Sequence, residues 1–310
     1  MSRRALTNLS ASVRQRLLNL SRKQGEDFSY VLSRYANERL LYRLSCSPYA
    51  HDFILKGAML FAVWQGEMHR PTRDLDLLSF GNPAEERLTS IFKALCVVTC
   101  EPDGLIFDPG SVRVASIRQG QIYGGLRVEL QARLAQAKIA LQIDVGFGDA
   151  VVPQPVDATF PAMLDFPPPR LRVYSRESVV AEKLHAMVVL GMLNSRMKDF
   201  YDLWVLRNAF AFDGTVLQKA IKATFGHRQT PIPGEIPIAL TEQFSTDGGK
   251  NQQWLAFLRR HRLAAETGAV SLAHVVNELS AFLIPVLRSL QQDTLLSLYW
   301  RPGGPWSEIP

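Results

Sequence analysis

Two aspartates, Asp74 and Asp76, stand one leucine apart in the segment Arg73-Asp74-Leu75-Asp76-Leu77. In an extended chain residues two apart leave the same face, about 7 Å apart at Cα, so the two carboxylates stand side by side. Like charges this close raise each other's pKa unless a cation neutralises them, and hard oxygen donors suit Mg²⁺, or Mn²⁺ in its place. Asp144 is a third acid of the same kind. It alternates with Ile143 and Val145 in Leu141-Gln142-Ile143-Asp144-Val145 and so projects away from the core face of its strand. Upstream, Lys56-Gly57-Ala58 ends an apolar segment and opens a short helix, where a glycine lets a phosphate approach backbone N–H groups. Each feature alone has an ordinary explanation: a solvated Asp-x-Asp edge, a strand-to-helix turn, a solvent-facing aspartate.

A second group of charged residues lies downstream, in Glu182-Lys183-Leu184-His185 and Ser195-Arg196-Met197-Lys198-Asp199-Phe200-Tyr201-Asp202. On a helix Asp199 and Asp202 share a face, and Lys198 is spaced to pair with Asp202. Such a pair is commonly a surface salt bridge worth little. Lys183 is the better candidate to hold a triphosphate, with Arg196 and Lys198 as further basic groups. His185 falls elsewhere on its helix and reads as structural.

The elements that must position these groups follow from periodicity. Residues 10–22 and 26–45 have helical spacing, the second with Val31, Leu32, Tyr35, Leu40, Leu41 and Leu44 in one apolar stripe. Residues 70–78 read as a strand, since Pro71 argues against a helix and Asp74 and Asp76 alternate with Leu75 and Leu77. A helix near 84–96 follows, then strands at 112–118, 126–134 and 137–145, with Gly120 and Gly124-Gly125 marking the turn between the first two. Beyond Phe166-Pro167-Pro168-Pro169 the spacing is helical at 176–191, 196–210, 214–225, 250–263 and 271–290. The expected class is therefore α+β: N-terminal helices (1–50) packed on a mixed or antiparallel sheet domain (51–166), then a helical C-terminal domain (167–310).

Composition bounds the reading without deciding it. With 310 residues and 47% hydrophobic content the chain can bury real cores, which excludes disordered and fibrous classes. No window approaches the roughly 18 apolar residues of a membrane span, so the expected location is cytoplasmic. Cys46, Cys96 and Cys100 are too few and too odd for a disulfide framework, and no second pair completes a zinc site with Cys96 and Cys100. The net charge of +6 favours polyanionic partners, with basic residues at Arg170 and Arg172, at Arg196 and Lys198, and along Arg259-Arg260-His261-Arg262.

Taken together, the Leu55-Lys56-Gly57 turn, the Thr72-Arg73-Asp74-Leu75-Asp76 strand, the Glu182-Lys183-Leu184 helix and the Lys198-Asp199-x-x-Asp202 helix resemble, in order, the pattern of the AbiEii/MenT-type nucleotidyltransferase toxins. These belong to the polymerase-beta-like nucleotidyltransferase superfamily. The likeness extends over roughly residues 25 to 290; Ala58 departs from it, where many relatives carry a second glycine or a serine. It implies that Asp74, Asp76 and Asp144 hold one or two Mg²⁺ ions, Asp144 ligating the second or accepting a proton. It further implies that Lys56, Gly57, Thr72, Arg73, Lys183, Arg196, Lys198 and Asp199 surround the nucleotide, and that Asp202, or as the second choice Asp199, orients Lys183 or the acceptor. The implied reaction moves NMP from an NTP to RNA, with a tRNA 3′ end among the candidates, under control of a cognate antitoxin, a winged-helix AbiEi-type protein being the expected form. Two other readings stay open: the same fold acting on an antibiotic-like small molecule or a protein side chain, and a catalytically inactive fold that binds RNA or a partner.

Overall fold

The computed structural model describes residues 3–117, 124–263 and 270–308, and the chain divides into two compact units. The first comprises residues 1–148 and 156–173, the second 149–155 and 174–310.

In the first unit two helices, α1 (Arg3–Gln24) and α2 (Phe28–Ser45), precede β1 (Phe53–Lys56), α3 (Leu60–Gln65), β2 (Leu75–Ser79), α4 (Glu85–Cys96), β3 (Leu105–Ser116), β4 (Gly125–Leu134), β5 (Ala137–Phe147), β6 (Val156–Thr159) and β7 (Arg170–Val173). The sheet runs β3-β4-β5-β2-β1-β7-β6 and is mixed: β2 lies parallel to β5, β1 parallel to β7, and the other neighbours are antiparallel. Alternation decides its two faces. Leu75, Leu77, Ile143, Val145, Leu126, Val128 and Leu130 are buried, whereas Asp76, Asp144, Arg127 and Glu129 fall on the other side. Helices α1, α2 and α4 pack against the sheet, and α2 is almost wholly buried.

Helix α2 begins at Asp27, whose side chain accepts from the Tyr30 N–H, a cap worth about 1 kcal/mol. Its polar residues are tied down as firmly as its apolar ones. Arg43 donates to Asp103 at 2.6 Å and 3.1 Å, Tyr35 Oη donates to the Asp103 carbonyl at 2.8 Å, and Arg39 donates to the Pro167 carbonyl at 3.0 Å and 3.1 Å. Glu38, completely buried, accepts from the Met163 N–H at 2.7 Å, and burial pushes its carboxyl up to about 7.

Several elements differ from expectation for identifiable reasons. The strand expected at 70–78 begins only at Leu75; its partner β1 ends at Lys56, opposite Asp76, and the ladder between the two strands stops there. The strand expected from 112 begins at Leu105 and survives Pro109-Gly110 through a shift in register between Asp108 and Arg113. Residues 167–173, beyond the proline run, include β7, which pairs with β1 and so belongs with the sheet. Gly120 and Arg118 lie outside the described residues.

The second unit carries α5 (Arg176–Leu190), α6 (Met197–Ala209), β8 (Phe212–Asp213), α7 (Gly214–His227), α8 (Glu242–Thr246), α9 (Gly248–Arg260), α10 (Leu272–Gln291), β9 (Leu298–Trp300) and β10 (Trp306–Glu308). Val275, Val276, Leu279, Phe282, Leu283, Val286 and Leu287 give α10 a continuous buried stripe. A small antiparallel sheet, β10-β9-β8, accompanies the expected helices, and Trp300 and Trp306 close on Phe282. No helix among the described residues is long and apolar enough to cross a membrane.

Candidate active site

In the first unit the register of four strands sets charged residues in one row across the polar face. Lys56 on β1 is opposite Asp76 on β2, Asp76 beside Asp144 on β5, and Asp144 opposite Arg127 on β4. Strand neighbours lie about 4.8 Å apart, so Asp76 and Asp144 are adjacent like charges flanked by a cation at each end. Arg127 meets both oxygens of Asp144, Nε to Oδ1 at 2.8 Å and Nη2 to Oδ2 at 2.8 Å. This fork, assisted by charge, raises the guanidinium pKa above its ordinary value. Asp74, exposed one residue before β2, accepts from Gln142 Nε2 at 3.3 Å.

Gly57 is where β1 stops. Its φ is +73°, the left-handed region that other residues occupy at a cost, and a Cβ built on it would lie 2.1 Å from Asp76 Oδ2. The room that glycine leaves is taken by a carboxylate, so its first duty is to let Asp76 stand where it does.

Asp74 and Asp76 share a face and offer hard oxygens, which fits a divalent cation that takes one or two carboxylates and completes its shell with substrate phosphates and water. Asp144 has both oxygens engaged by Arg127. Among the described residues, no group of three or more His, Cys, Asp or Glu side chains is gathered to hold a metal ion. Arg73 is not brought to the carboxylates. It leaves the chain on the side of Leu75 and Leu77 and donates to Ser29 Oγ at 2.8 Å, with Asp27 at 3.7 Å. The Thr72 N–H points to Tyr30 Oη at 3.4 Å.

In the second unit Lys183, on α5, donates to Asp199 and Asp202, on α6, at 2.8 Å each. The two carboxylates are fully buried, and Arg196 Nε reaches Asp199 at 2.5 Å. Burial alone would push the Asp199 carboxyl up, but Lys183 and Arg196 outweigh it and hold the carboxyl below its ordinary value. Ser175 caps α5 by accepting the Ser178 N–H at 3.1 Å, which helps set the helix that carries Lys183. The spacing-based pairing of Lys198 with Asp202 is corrected: Lys198 is exposed and has no ion pair among the described residues, and Asp202 is taken by Lys183 across the helix pair. His185 is buried, hydrogen-bonded to Thr230 at 2.8 Å and packed on Phe225; burial, with Arg228 beside it, pulls its pKa down to about 4, so it is neutral near pH 7.

A family model described as the nucleotidyl transferase AbiEii toxin of type IV toxin–antitoxin systems matches residues 39–280. This chain belongs to that family. As an AbiEii-family member it is a nucleotidyltransferase toxin, and both charged groups described above fall within the matched residues. No curated protein matches the sequence. Two Helicobacter pylori crystal structures are similar at 15% identity, one of a protein provisionally described as a nucleotidyltransferase and one of JHP933. Each covers 82% of this chain, with 92% and 90% of the other chain matched and TM-scores of 0.46 and 0.45.

Arg127 and Gln142 were absent from the residues singled out by sequence. A signal for Arg127 existed. Residues 125–134 and 137–147 form a hairpin around residues 135 and 136, and counting outward from the Leu134 and Ala137 pair sets Arg127 opposite Asp144.

Proposed function

We propose that this AbiEii-family toxin transfers a nucleotidyl group from a nucleoside triphosphate to an RNA acceptor, with Mg²⁺ held by Asp74 and Asp76. The observation that carries this reading is the row Lys56, Asp76, Asp144, Arg127, with Asp74 on the same face and Gly57 shaped to admit Asp76. Paired carboxylates between cations are suited to a magnesium triphosphate, whose metal and phosphates carry opposite charges. When bound, the ion supplies Lewis acidity at the phosphate oxygens and stabilises charge on the attacking and leaving oxygens. Lys56 is placed beside Asp76 to contribute positive charge at the same oxygens. In the reaction the acceptor hydroxyl gives its proton to solvent water and bonds to the α-phosphorus, while the bond from that phosphorus to the bridging oxygen breaks and pyrophosphate leaves.

For Lys183 we keep the part its motif implies, a cation for the phosphates. Asp199 and Asp202, both buried, accept from its ammonium and hold it in one position. The acceptor class rests on the net charge of +6 and on the type IV toxin family, whose members act with an antitoxin partner; a tRNA 3′ end and a winged-helix antitoxin are the specific forms proposed.

The test is label transfer from each radiolabelled NTP into total RNA, protein and small-molecule fractions, alongside pyrophosphate release. Asp74→Ala and Asp76→Ala should each abolish both signals, and label should enter RNA. Unchanged turnover in both variants sinks the metal assignment; label confined to protein or small molecules sinks the acceptor.

A further inference from the structure

The grip of Arg127 on Asp144 bears directly on what the third acid does. An aspartate that is to chelate a metal turns both oxygens toward the ion, and here one guanidinium at 2.8 Å occupies that bidentate position, leaving Asp144 only the second lone pair of each oxygen. The guanidinium is only partly used. Its Nη1 and one hydrogen of Nη2 meet no acceptor among the described residues, and the side chain is one-third exposed. Asp144 itself is more enclosed, at 19% side-chain exposure. Arg127 is thus anchored by two of its five N–H groups and offers the remaining three on the face that carries Asp76 and Asp74. Those three donors lie in one plane, the geometry that matches phosphate oxygens.

We propose that Arg127 is a phosphate-binding residue of this site and that Asp144 is its positioning residue rather than a metal ligand. The proposal rests on the nucleotidyltransferase reading above and reassigns one of its acids. It leaves Asp74 and Asp76 as the metal-binding pair, with Lys56 and Arg127 flanking the row as cations for the polyphosphate. A simple cross-strand ion pair would have the same register, but would serve only the sheet.

Binding measurements separate these roles without relying on turnover. Full-length wild type, Arg127→Gln, Arg127→Lys and Asp144→Asn would be titrated with Mn²⁺ alone, with a non-hydrolysable NTP plus Mn²⁺, and with inorganic tripolyphosphate, and their unfolding midpoints recorded. Arg127→Gln and Asp144→Asn should each weaken both polyphosphate ligands by about tenfold or more, the loss of one charge-assisted hydrogen bond. Mn²⁺ affinity and midpoint should stay near wild type, and Arg127→Lys should recover only part of the loss, since an ammonium cannot make the fork. A fall in Mn²⁺ affinity in Asp144→Asn with Arg127→Gln unaffected in nucleotide binding would overturn the proposal and make Asp144 a metal ligand. Nucleotide and tripolyphosphate affinities within about twofold of wild type in both variants would reduce the pair to a sheet contact. Arg127-dependent binding of tripolyphosphate without any binding of NTP would keep the proposal and remove the nucleotidyltransferase reading; binding of neither by wild type removes both.

Discussion

Gly57→Ala is the smallest change that tests how the fold sets Asp76. The added methyl meets Asp76 at 2.1 Å from Oδ2, 2.7 Å from Cγ and 2.8 Å from Cβ. Rotating the carboxylate away relieves the first contact but not the last, so the turn after β1 and strand β2 must separate by several tenths of an ångström. The φ of +73° adds about 1–2 kcal/mol of backbone strain. Displacing a catalytic group by about 1 Å costs on the order of 100-fold in rate, so a shift of several tenths of an ångström should lower kcat/KM for pyrophosphate release by roughly tenfold or more. Gly66→Ala is the control: its φ is +83°, but an added Cβ would meet nothing within 4 Å. Both variants should lose a few degrees of unfolding midpoint from the shared strain, whereas only Gly57→Ala should lose turnover. Equal turnover in the two variants would refute the link between Gly57 and Asp76.

Two further perturbations probe buried charge. Lys183→Met removes the ammonium that the buried carboxylates of Asp199 and Asp202 both accept from, and should cost about 3–5 kcal/mol in denaturant unfolding; a loss under about 1 kcal/mol would show that the two acids are held well enough without it. Glu38 titrates at about 7 in the folded chain against an ordinary 4.5, so the native state holds its proton longer. Stability should therefore fall as pH rises between those values, by up to roughly 3 kcal/mol, and level off above 7. Glu38→Gln should flatten that slope in unfolding midpoints measured from pH 4 to 8, and an unchanged slope would assign it to another group.

Periodicity and motif order carried much of the fold. The stripe of α2, the helices from 176 onward and the alternation around Asp144 are short-range patterns written in neighbouring residues. The weaker elements were not so written. Strands β6 to β10 span two to four residues each, too short for a period to show, and they form because a partner edge is present. The pairing of Lys198 with Asp202 failed for a related reason: spacing along one helix says which residues share a face, not which cation arrives from the neighbouring helix.

For the site, the sequence by itself determined which side chains could do the chemistry. Asp74 and Asp76 must share a face because an extended chain repeats every two residues, and four ordered motif blocks made the family legible. Tertiary structure alone decided their company. Parallel pairing of β2 with β5 set Asp144 beside Asp76, antiparallel pairing of β4 set Arg127 on Asp144, and the turn at Gly57 brought its backbone against the Asp76 carboxylate. These are contacts between residues far apart in the chain, and their free energies depend on register and on closest approach, which no local pattern encodes.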